Sequence, residues 1–600
     1  MSQSEPNQAT TDIQQTAQST SQETVVTEHK PKLATEPHSM PWLKTFEKYG
    51  MDYDIELPPA DMSLIDVFER NFAQFGDKTA FVCMNATISF RELDIKSRQV
   101  AAYLQGLGLK KGDNVAVMLP NILQYPVCMI GILRAGLTLV NVNPLYTTHE
   151  LEHQLEDSQA KMLFIVENFA KTYQDIGKKM VDHVVVCSMG DLMGTVKGFM
   201  VNMVVRHVKK MVPAWQIDGH ITFTQALNRA SASQYVRPTD IVGDDVAVLQ
   251  YTGGTTGVAK GAMLTHHNLL SNLFQAFVHV RTVFTAEDND EYIIIALPLY
   301  HIFSFTACAL LGMYQGFIGV LIPNPRDLDG FVKELAKYKP AFLPAVNTLF
   351  NGLANHEGFK NLDHSNLKIA LGGGMSVLAS TAATWKKITN VDIAEGYGLS
   401  ETSPVLTLNP LKIGHYTGKI GIPLSLTDIK LVDDEGNEVA MGEQGEIVAK
   451  GPQVMKGYWQ RPEATAESFT KDGYFKTGDI AIMDEDGFFK IVDRKKDMIL
   501  VSGFNVYPNE IEDVISQHPK VLEVGVIGIP SEKMGEQPKA YVVRKDNSLT
   551  EQELLDYAKK ELTGYKRPRK IEFVDELPKS NVGKILRKEL RKLEEDKTQK

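Results

Sequence analysis

The sequence is poor in the features that mark several common classes of protein. Only 4 of its 600 residues are cysteines, and they lie far apart without a CxxC pair. Neither a zinc knuckle nor a disulfide framework is therefore predicted, and a reducing compartment is expected. Basic residues are outnumbered, 63 against 74 acidic ones, which leaves no positive field for nucleic acid. We expect no nucleic-acid partner and predict a cytoplasmic protein.

Residues 1–40 lack aromatic side chains altogether, and 18 of them are Ser, Thr or Gln. No apolar segment follows a basic start, so a signal peptide is not predicted. Too little apolar surface is present to offset the entropy of ordering. We predict a disordered polar tail that ends just before Pro41.

Charge is missing from a second region, the 31 residues from Ile293 to Pro323. Such a run suggests a transmembrane helix at first sight, but Pro298, His301 and three glycines interrupt it. A buried strand followed by a buried helix accounts for the pattern better than a membrane span does.

What the sequence does contain is a regular alternation of elements. Short β-branched runs alternate with helical patterns from about residue 114 to about residue 371, which indicates parallel sheets with helices on both faces. After about residue 427, shorter strands and glycine-containing turns indicate a β-rich subdomain. Five consecutive charged residues, Asp493–Asp497, predict a domain boundary. The predicted fold is a large N-terminal α/β domain (41–495), with two parallel-type sheets and the β-rich subdomain, followed by a small α+β C-terminal domain (496–600).

A loop rich in glycine and threonine directly follows the predicted strand that ends at Tyr251. Its sequence, TGGTTGVAKG, places three glycines and three hydroxyls around Lys260. Glycine lets backbone N–H groups approach an anion closely, so the loop predicts a phosphate site. A predicted helix from His266 to Val278 would add its dipole. The spacing is not that of a Walker A loop, where Lys follows Gly directly and precedes Ser or Thr. The predicted phosphate-binding residues are Tyr251, Thr252, Gly253, Gly254, Thr255, Thr256, Gly257 and Lys260.

This loop resembles the phosphate-binding signature of the adenylate-forming enzymes, a family that includes acyl-CoA synthetases, luciferases and peptide-synthetase adenylation domains. Other segments resemble further motifs of that family in the family's order, over about residues 41 to 595. They are LPLYH ending at His301, Gly372–Gly374, EGYGLSET from Glu395 to Thr402, TGD ending at Asp479, VDRKKD ending at Asp497, and PKSNVGKILR ending at Arg587. The uninterrupted stretch 477–512 is most similar to bacterial long-chain fatty acid–CoA ligases.

The resemblance implies a nucleotide site. Gly372, Gly373, Gly374, Tyr397 and Gly398 would border the adenine, with the Tyr397 ring stacked on the base. Thr402 would bind the α-phosphate, Asp479 the ribose hydroxyls, and Arg494 the ribose and phosphate. Glu401 would hold Mg²⁺. Taken singly, these residues also have structural alternatives, namely a helix cap for Glu401 and Thr402, a turn for Asp479 and a C-cap for the glycines.

The resemblance also implies the remaining parts of a two-step catalyst. Lys584 would bridge the substrate carboxylate and the nucleotide, and His301 would border the acyl and nucleotide pockets unless it is an ordinary core histidine. Lys496 would be the hinge of the C-terminal domain, and Gly503 would line the tunnel for the CoA thiol.

The activity implied is ATP-dependent conversion of a long-chain fatty acid to its acyl-CoA through an acyl-adenylate. The expected substrates are the fatty acid, ATP and CoA, the expected cofactor is Mg²⁺, and a homodimer is a further hypothesis. Three alternatives stay open: a fatty acyl-AMP ligase, an aryl or short-chain CoA ligase, and a non-catalytic protein that binds nucleotide or lipid.

One helical segment, Gly198 to Trp215, has an apolar stripe beside a basic and polar one. The apolar members are Phe199, Met200, Met203, Val204, Val208 and Met211, and the polar members are Asn202, Arg206, Lys209 and Lys210. A stripe of this kind usually faces the core, and that is the interpretation we favour here. The alternative is peripheral association with an anionic membrane on its cytoplasmic face.

Overall fold

The computed structural model describes residues 40–252, 259–502, 504–531, 533–580 and 583–598. The helices are α1 (Trp42–Lys48), α2 (Leu64–Phe75), α3 (Phe90–Gly106), α4 (Gln124–Arg134), α5 (Thr148–Ser158), α6 (Ala170–Gln174), α7 (Thr195–Met203), α8 (Phe223–Arg229), α9 (His266–Val280), α10 (Leu311–Gln315), α11 (Leu328–Tyr338), α12 (Asn347–Asn355), α13 (Glu357–Lys360), α14 (Ala379–Thr389), α15 (Pro462–Glu467), α16 (Pro508–Ser516), α17 (Glu551–Glu561) and α18 (Arg587–Thr598). π-Helical segments run over Val204–Val208 and Ser304–Leu310.

The strands are β1 (Thr79–Cys83), β2 (Ala86–Ser89), β3 (Asn114–Met118), β4 (Thr138–Asn141), β5 (Met162–Val166), β6 (His183–Cys187), β7 (Ile221–Thr222), β8 (Val246–Thr252), β9 (Lys260–Thr265), β10 (Tyr292–Ile295), β11 (Ile318–Leu321), β12 (Phe342–Ala345), β13 (Ile369–Gly372), β14 (Ile393–Gly398), β15 (Val405–Leu408), β16 (Ile422–Pro423), β17 (Asp428–Val432), β18 (Gln444–Lys450), β19 (Gly457–Tyr458), β20 (Phe475–Met483), β21 (Phe489–Arg494), β22 (Ile499–Val501), β23 (Phe504–Val506), β24 (Val521–Ser531), β25 (Gly535–Arg544) and β26 (Lys570–Phe573).

Local sequence explains where many of these elements begin. Ser89 caps α3, since its side chain accepts from the backbone N–H of Glu92 while the Glu92 carboxylate accepts from the Ser89 N–H. Strands β3 and β5 are buried at every position. Their apolar runs therefore suit the interior of a parallel sheet that is covered on both faces.

The strands form two large sheets and two smaller ones. A nine-stranded sheet has the order β16-β15-β14-β13-β12-β10-β11-β1-β2, and an eight-stranded sheet has the order β19-β9-β8-β4-β3-β5-β6-β7. In the first sheet, strands β10 to β14 pair in parallel. In the second sheet, the neighbouring strands in the order β8-β4-β3-β5-β6 also pair in parallel. The antiparallel sheet β17-β18-β20-β21 and the C-terminal sheet of β22 to β26 complete the fold. The predicted fold class is confirmed.

The uncharged stretch 293–323 is confirmed as a buried core segment. It contains β10, the π-helical segment, α10 and β11, and nearly all of its side chains are buried. In the part of the chain that the structure describes, no helix combines the length and the apolarity that crossing a bilayer requires.

Two expectations about local structure are wrong. The predicted helix from His266 is confirmed as α9, but strand β9 (Lys260–Thr265) runs antiparallel to β8 between Lys260 and that helix. The N-terminus of α9 is therefore a strand length away from Lys260, and the expectation that its dipole adds to the phosphate site is wrong. The apolar stripe of α7 does not face the core either. Phe199 and Val208 are each 68% exposed, and the other four members of the stripe are also exposed.

Candidate active site

A cavity of about 970 Å³ opens where the parallel strands of both large sheets end. Strands β4 and β8 supply one side and β10, β12, β13 and β14 the other, each through residues at or just after its carboxyl end. Open α/β sheets characteristically bind ligands at this edge. The predicted residues that line the cavity are Tyr251, Thr252, Lys260, His301, Gly372, Gly373, Gly374, Tyr397, Gly398, Glu401, Asp479, Arg494, Lys496 and Lys584.

One polar group in the cavity is built on the hairpin of β20 and β21. Asp479 and Arg494 are direct partners in its register, and the Asp479 Oδ1 lies 3.2 Å from the Arg494 Nε. The Tyr397 hydroxyl, from the end of β14, donates to the Asp479 Oδ2 at 2.6 Å. Burial and the neighbouring carboxylate raise the pKa of Tyr397 well above its usual value. Asp479 is thus a buried hydrogen-bond acceptor that lines the cavity.

A second group surrounds Glu401, which lies in the short turn after β14. Its carboxylate Oε1 accepts a hydrogen bond of 2.8 Å from the Tyr458 hydroxyl, and burial raises its pKa. The Lys260 Nζ lies 5.0 Å from the centre of the same tyrosine ring. Lysine and carboxylate therefore share one aromatic support and both face the cavity.

Lys584 reaches the cavity from the C-terminal domain. Its loop meets α12, where Thr348 Oγ1 donates to the Gly583 carbonyl at 3.4 Å. Gly583 has φ of +80°, and a Cβ there would lie 2.5 Å from the Thr348 Oγ1, so this close approach requires glycine. Burial, together with the charge of Arg494, lowers the pKa of Lys584 to about 7. Burial and the Lys584 charge lower the pKa of His301 to about 4.

Two glycines of the predicted nucleotide site allow close packing of the backbone. A Cβ on Gly373 would lie 2.9 Å from the ring of Phe303, and one on Gly398 would lie 1.8 Å from the Pro404 carbonyl oxygen. Both residues line the cavity. Larger side chains at these positions would force this wall to move.

Among the predicted site residues that the structure describes, Thr402 alone is absent from the cavity wall. Thr402 is fully buried, and its hydroxyl bonds to the backbone of Leu399 and Pro404 within its own turn; its role at the α-phosphate stays a prediction. Gly253, Gly254, Thr255, Thr256 and Gly257, like Gly503, lie outside the described residues, and so does the predicted tail apart from Met40.

Beside the polar groups, the cavity has a large apolar surface, which we call the apolar wall. Sequence analysis did not identify it, because its members are ordinary core residues until the fold brings them together. They are Ala276 and Val280 on α9, Ile302, Phe303, Ala307 and Leu311 on the helical run after His301, and Phe342, Val346, Leu371, Leu408 and Leu411.

Sequence analysis also missed Tyr458 and Arg461, which line the cavity from the segment after β18. Arg461 pairs with Asp157, and the Tyr251 hydroxyl donates to the same carboxylate at 2.7 Å. Asp157 thus ties the strand before the phosphate loop to the segment that carries Tyr458. No local pattern indicates these contacts, since each joins residues more than 90 positions apart.

Comparison with known families agrees with this geometry. The model of the AMP-binding enzyme family matches residues 68–459, and that of the AMP-binding enzyme C-terminal domain matches residues 510–584. The chain belongs to the AMP-binding enzyme family. Members of this family that act as CoA ligases use ATP and CoA as substrates.

Among individual proteins, the AMP-binding enzyme described here is 54% identical to a long-chain-fatty-acid–CoA ligase of Escherichia coli O6:H1 over 553 residues, which cover 92% of this chain and 97% of that one. A solved structure of the anthranilate CoA ligase AuaEII, in complex with anthranoyl-AMP, is similar with a TM-score of 0.78 and 26% identity, covering 89% and 98% of the two chains. ATP-bound MatB from Rhodopseudomonas palustris gives a TM-score of 0.76 and 30% identity over 89% and 99%.

Proposed function

We propose that this protein activates long-chain fatty acids, using ATP to form an acyl-adenylate and then CoA to form the acyl-CoA, with release of pyrophosphate and AMP. The observation that carries the proposal is one cavity in which lysine and arginine side chains and two buried carboxylates, Glu401 and Asp479, adjoin an extensive apolar wall. The 54% identity to a long-chain-fatty-acid–CoA ligase over most of both chains supports the choice of substrate.

The first half-reaction needs charge in one place. A carboxylate is a poor acyl donor because oxide is its leaving group, so it attacks the α-phosphate of ATP and expels pyrophosphate. The Lys584 ammonium would stabilise negative charge shared between the carboxylate and the nucleotide, and Lys260 would do so at the phosphates. The Asp479 carboxylate would accept hydrogen bonds from the ribose hydroxyls, and Arg494 would hold that carboxylate in place through their ion pair.

Glu401 is the carboxylate that fits Mg²⁺. It is buried at the cavity, and both it and Lys260 contact Tyr458. Mg²⁺ is commonly held by one or two carboxylates together with substrate phosphates. When bound, the cation would offset charge on the departing pyrophosphate.

The second half-reaction needs a different arrangement of the same cavity. We propose that the chain divides into a domain of residues 41–495 and a mobile domain of residues 496–600 that turns about Lys496 after adenylation. This rotation would withdraw Lys584 and bring Gly503 beside the entering thiol, which then displaces AMP.

A half-reaction assay tests the proposal. Oleate, ATP and Mg²⁺ should give AMP only when CoA is added, and Lys584→Ala should lose adenylation while still converting supplied oleoyl-AMP to oleoyl-CoA. Oleoyl-AMP released without regard to CoA would instead indicate an acyl-AMP ligase. Turnover restricted to aromatic or short acids would support the proposed two-step reaction but contradict the long-chain fatty acid as substrate. Absence of any turnover would indicate a binding protein.

We further propose that α7 and the π-helical segment after it rest on an anionic membrane, from which the fatty acid is collected. The helix is held to the body by its polar side: Arg206 pairs with Glu167 at 2.8 Å, and Asn202 accepts from the Gly190 N–H at 2.8 Å. Its apolar stripe therefore points outward. Residues 192–217 contain no acid but four basic residues, in a chain with net charge −11. Exposed apolar residues with adjacent cations are typical of a surface-bound helix.

Sedimentation with vesicles tests this docking surface. Wild type should pellet with phosphatidylglycerol vesicles, and Phe199→Asp/Met203→Asp should abolish pelleting, as should Lys209→Glu/Lys210→Glu. Val236→Asp, at an exposed valine outside the stripe, is the matched control. Equal pelleting of all four proteins, or none by wild type, would overturn the proposal. A homodimer and a cytoplasmic location stay predictions, which mass measurement in solution and cell fractionation would test.

A further inference from the structure

A cluster of charged side chains joins the two sides of the proposed hinge. Arg587, the first residue of α18, is three positions beyond Lys584 and is largely buried. Its guanidinium contacts carboxylates from three places in the chain: Asp493 at 3.1 Å, Asp497 at 3.4 Å and Glu512 at 2.8 Å. Few residues could satisfy so many acceptors, since only arginine offers a planar fork of five donors.

These contacts fall into two classes with respect to Lys496. Asp497 and Glu512 follow the hinge in the chain, as does Asn509, which also accepts from Arg587. They move with α18 as one body when the C-terminal domain turns. Asp493 is different, because it lies on β21, which is part of the antiparallel sheet before the hinge.

Asp493 lies before the hinge but accepts hydrogen bonds from two residues that follow it. It is completely buried, and its two oxygens are used in different directions. Oδ1 faces Arg587, whereas Oδ2 accepts from the backbone N–H of Asn509 at 2.9 Å. Both bonds join residues on opposite sides of Lys496 in the chain, so a rotation of the C-terminal domain about Lys496 has to break both. The remaining bonds of Arg587 are untouched by such a rotation.

We propose that the Arg587–Asp493 contact is a latch across the hinge, which holds the C-terminal domain in the arrangement that places Lys584 in the cavity. Asp493 and Arg587 are on this view positioning residues for adenylation, acting through Lys584. The inference rests on the proposed function, because it assumes that one arrangement serves adenylation and another serves thioester formation.

The test compares two ion pairs of the same cluster. Asp493→Asn removes the charge that crosses the hinge with little change of shape, and Arg587→Lys retains charge but loses the fork. Arg591→Gln is the matched control, because Arg591 pairs with Asp497 at 2.7 Å and both follow the hinge. For each protein we would measure oleate-dependent exchange of pyrophosphate with ATP, and conversion of supplied oleoyl-AMP to oleoyl-CoA.

A charge-assisted bond lost at a buried site should lower exchange about 10- to 100-fold in Asp493→Asn. Conversion of oleoyl-AMP should be unchanged or faster, and Arg587→Lys should show the same split at smaller size. Arg591→Gln should leave the ratio of the two rates unaltered. Equal loss of both half-reactions, or the same split in Arg591→Gln, would overturn the latch.

Hydrogen exchange separates this inference from the proposed function. In the protein without substrates, the peptides around Thr348 and residues 583–590 should exchange about tenfold faster in Asp493→Asn than in wild type or Arg591→Gln. If wild type fails to activate oleate, the proposed function fails, and the exchange rates still decide the latch. Unchanged exchange at both peptides would refute it.

Discussion

The apolar wall predicts that chain-length preference can be shortened by one substitution. Ala307 is buried in the π-helical segment and faces the cavity. It is six residues beyond His301, which is about one and a half helical turns from the reacting end. Ala307→Phe would place a ring where the distal part of a long acyl chain is expected to lie. Short acids would not reach this position.

The size of the effect follows from the area that the acyl chain can no longer bury. Each methylene that loses apolar contact forfeits about 0.8 kcal/mol. If the ring displaces on the order of four methylenes, the loss is about 3 kcal/mol, which corresponds to a fall in kcat/KM of roughly 100- to 200-fold for oleate. Butyrate should retain its kcat/KM to within about threefold, since it makes none of these contacts.

The assay is AMP release at saturating ATP and CoA, with oleate, octanoate and butyrate compared in wild type and variant. Ala276→Phe repeats the test from α9, which packs against the π-helical segment. A fall that is equal for oleate and butyrate would indicate general damage to the site. Unchanged selectivity in both variants would refute the assignment of this wall to the acyl chain.

Three further predictions concern the polar end of the cavity. The folded-state pKa of Lys584, about 7, lies below its usual value of 10.5, so unfolding takes up a proton between these values and stability rises with pH there. Thermal unfolding should therefore show Lys584→Met to be more stable than wild type by about 2 to 4 kcal/mol at pH 7, a gap that closes towards pH 10; a gap independent of pH would contradict this. Gly583→Ala should slow adenylation at least tenfold, roughly, by clashing with Thr348, and leave conversion of supplied oleoyl-AMP intact. Gly564→Ala, where a Cβ meets nothing within 4 Å, should alter neither rate, and equal effects of the two variants would rule out the clash. Tyr458→Phe should raise the KM for MgATP about five- to tenfold by removing a hydrogen bond to the buried glutamate; an unchanged KM would show that this bond does not order the site.

Much of the fold could be predicted from local sequence, because the central strands are continuous apolar runs. The predicted strand that ends at Tyr251 is β8 at Val246–Thr252, and the predicted helix from His266 to Val278 is α9 at His266–Val280. Strand β9 was missed, since KGAMLT has no strong β pattern and forms a strand through its pairing with β8.

The residues of the site were predictable where they sit in compact motifs, and unpredictable where distant segments meet. Asp479 and Arg494 come from separate motifs, yet the register of one hairpin brings them together. The support of Glu401 by Tyr458 has no local signal. The direction of the α7 stripe was misjudged because periodicity reveals that a helix has two faces but not which one is inward, and here Arg206 finds a buried carboxylate in Glu167.

The hairpin of β20 and β21 carries the proposed nucleoside-binding residues on the side of the hinge that does not rotate in the proposed cycle. Asp479 and Arg494 both precede Lys496, whereas Lys584 follows it. In the proposed cycle the grip on the nucleoside therefore persists while the lysine is exchanged for the thiol. The acyl-adenylate is a mixed anhydride, which water hydrolyses readily. Its dissociation from the cavity would require release of the contacts with Asp479 and Arg494, and the proposed rotation leaves those contacts in place. In this cycle the stationary hairpin would set how often the intermediate goes on to product, and the enzyme could wait for CoA without hydrolysing ATP to no purpose.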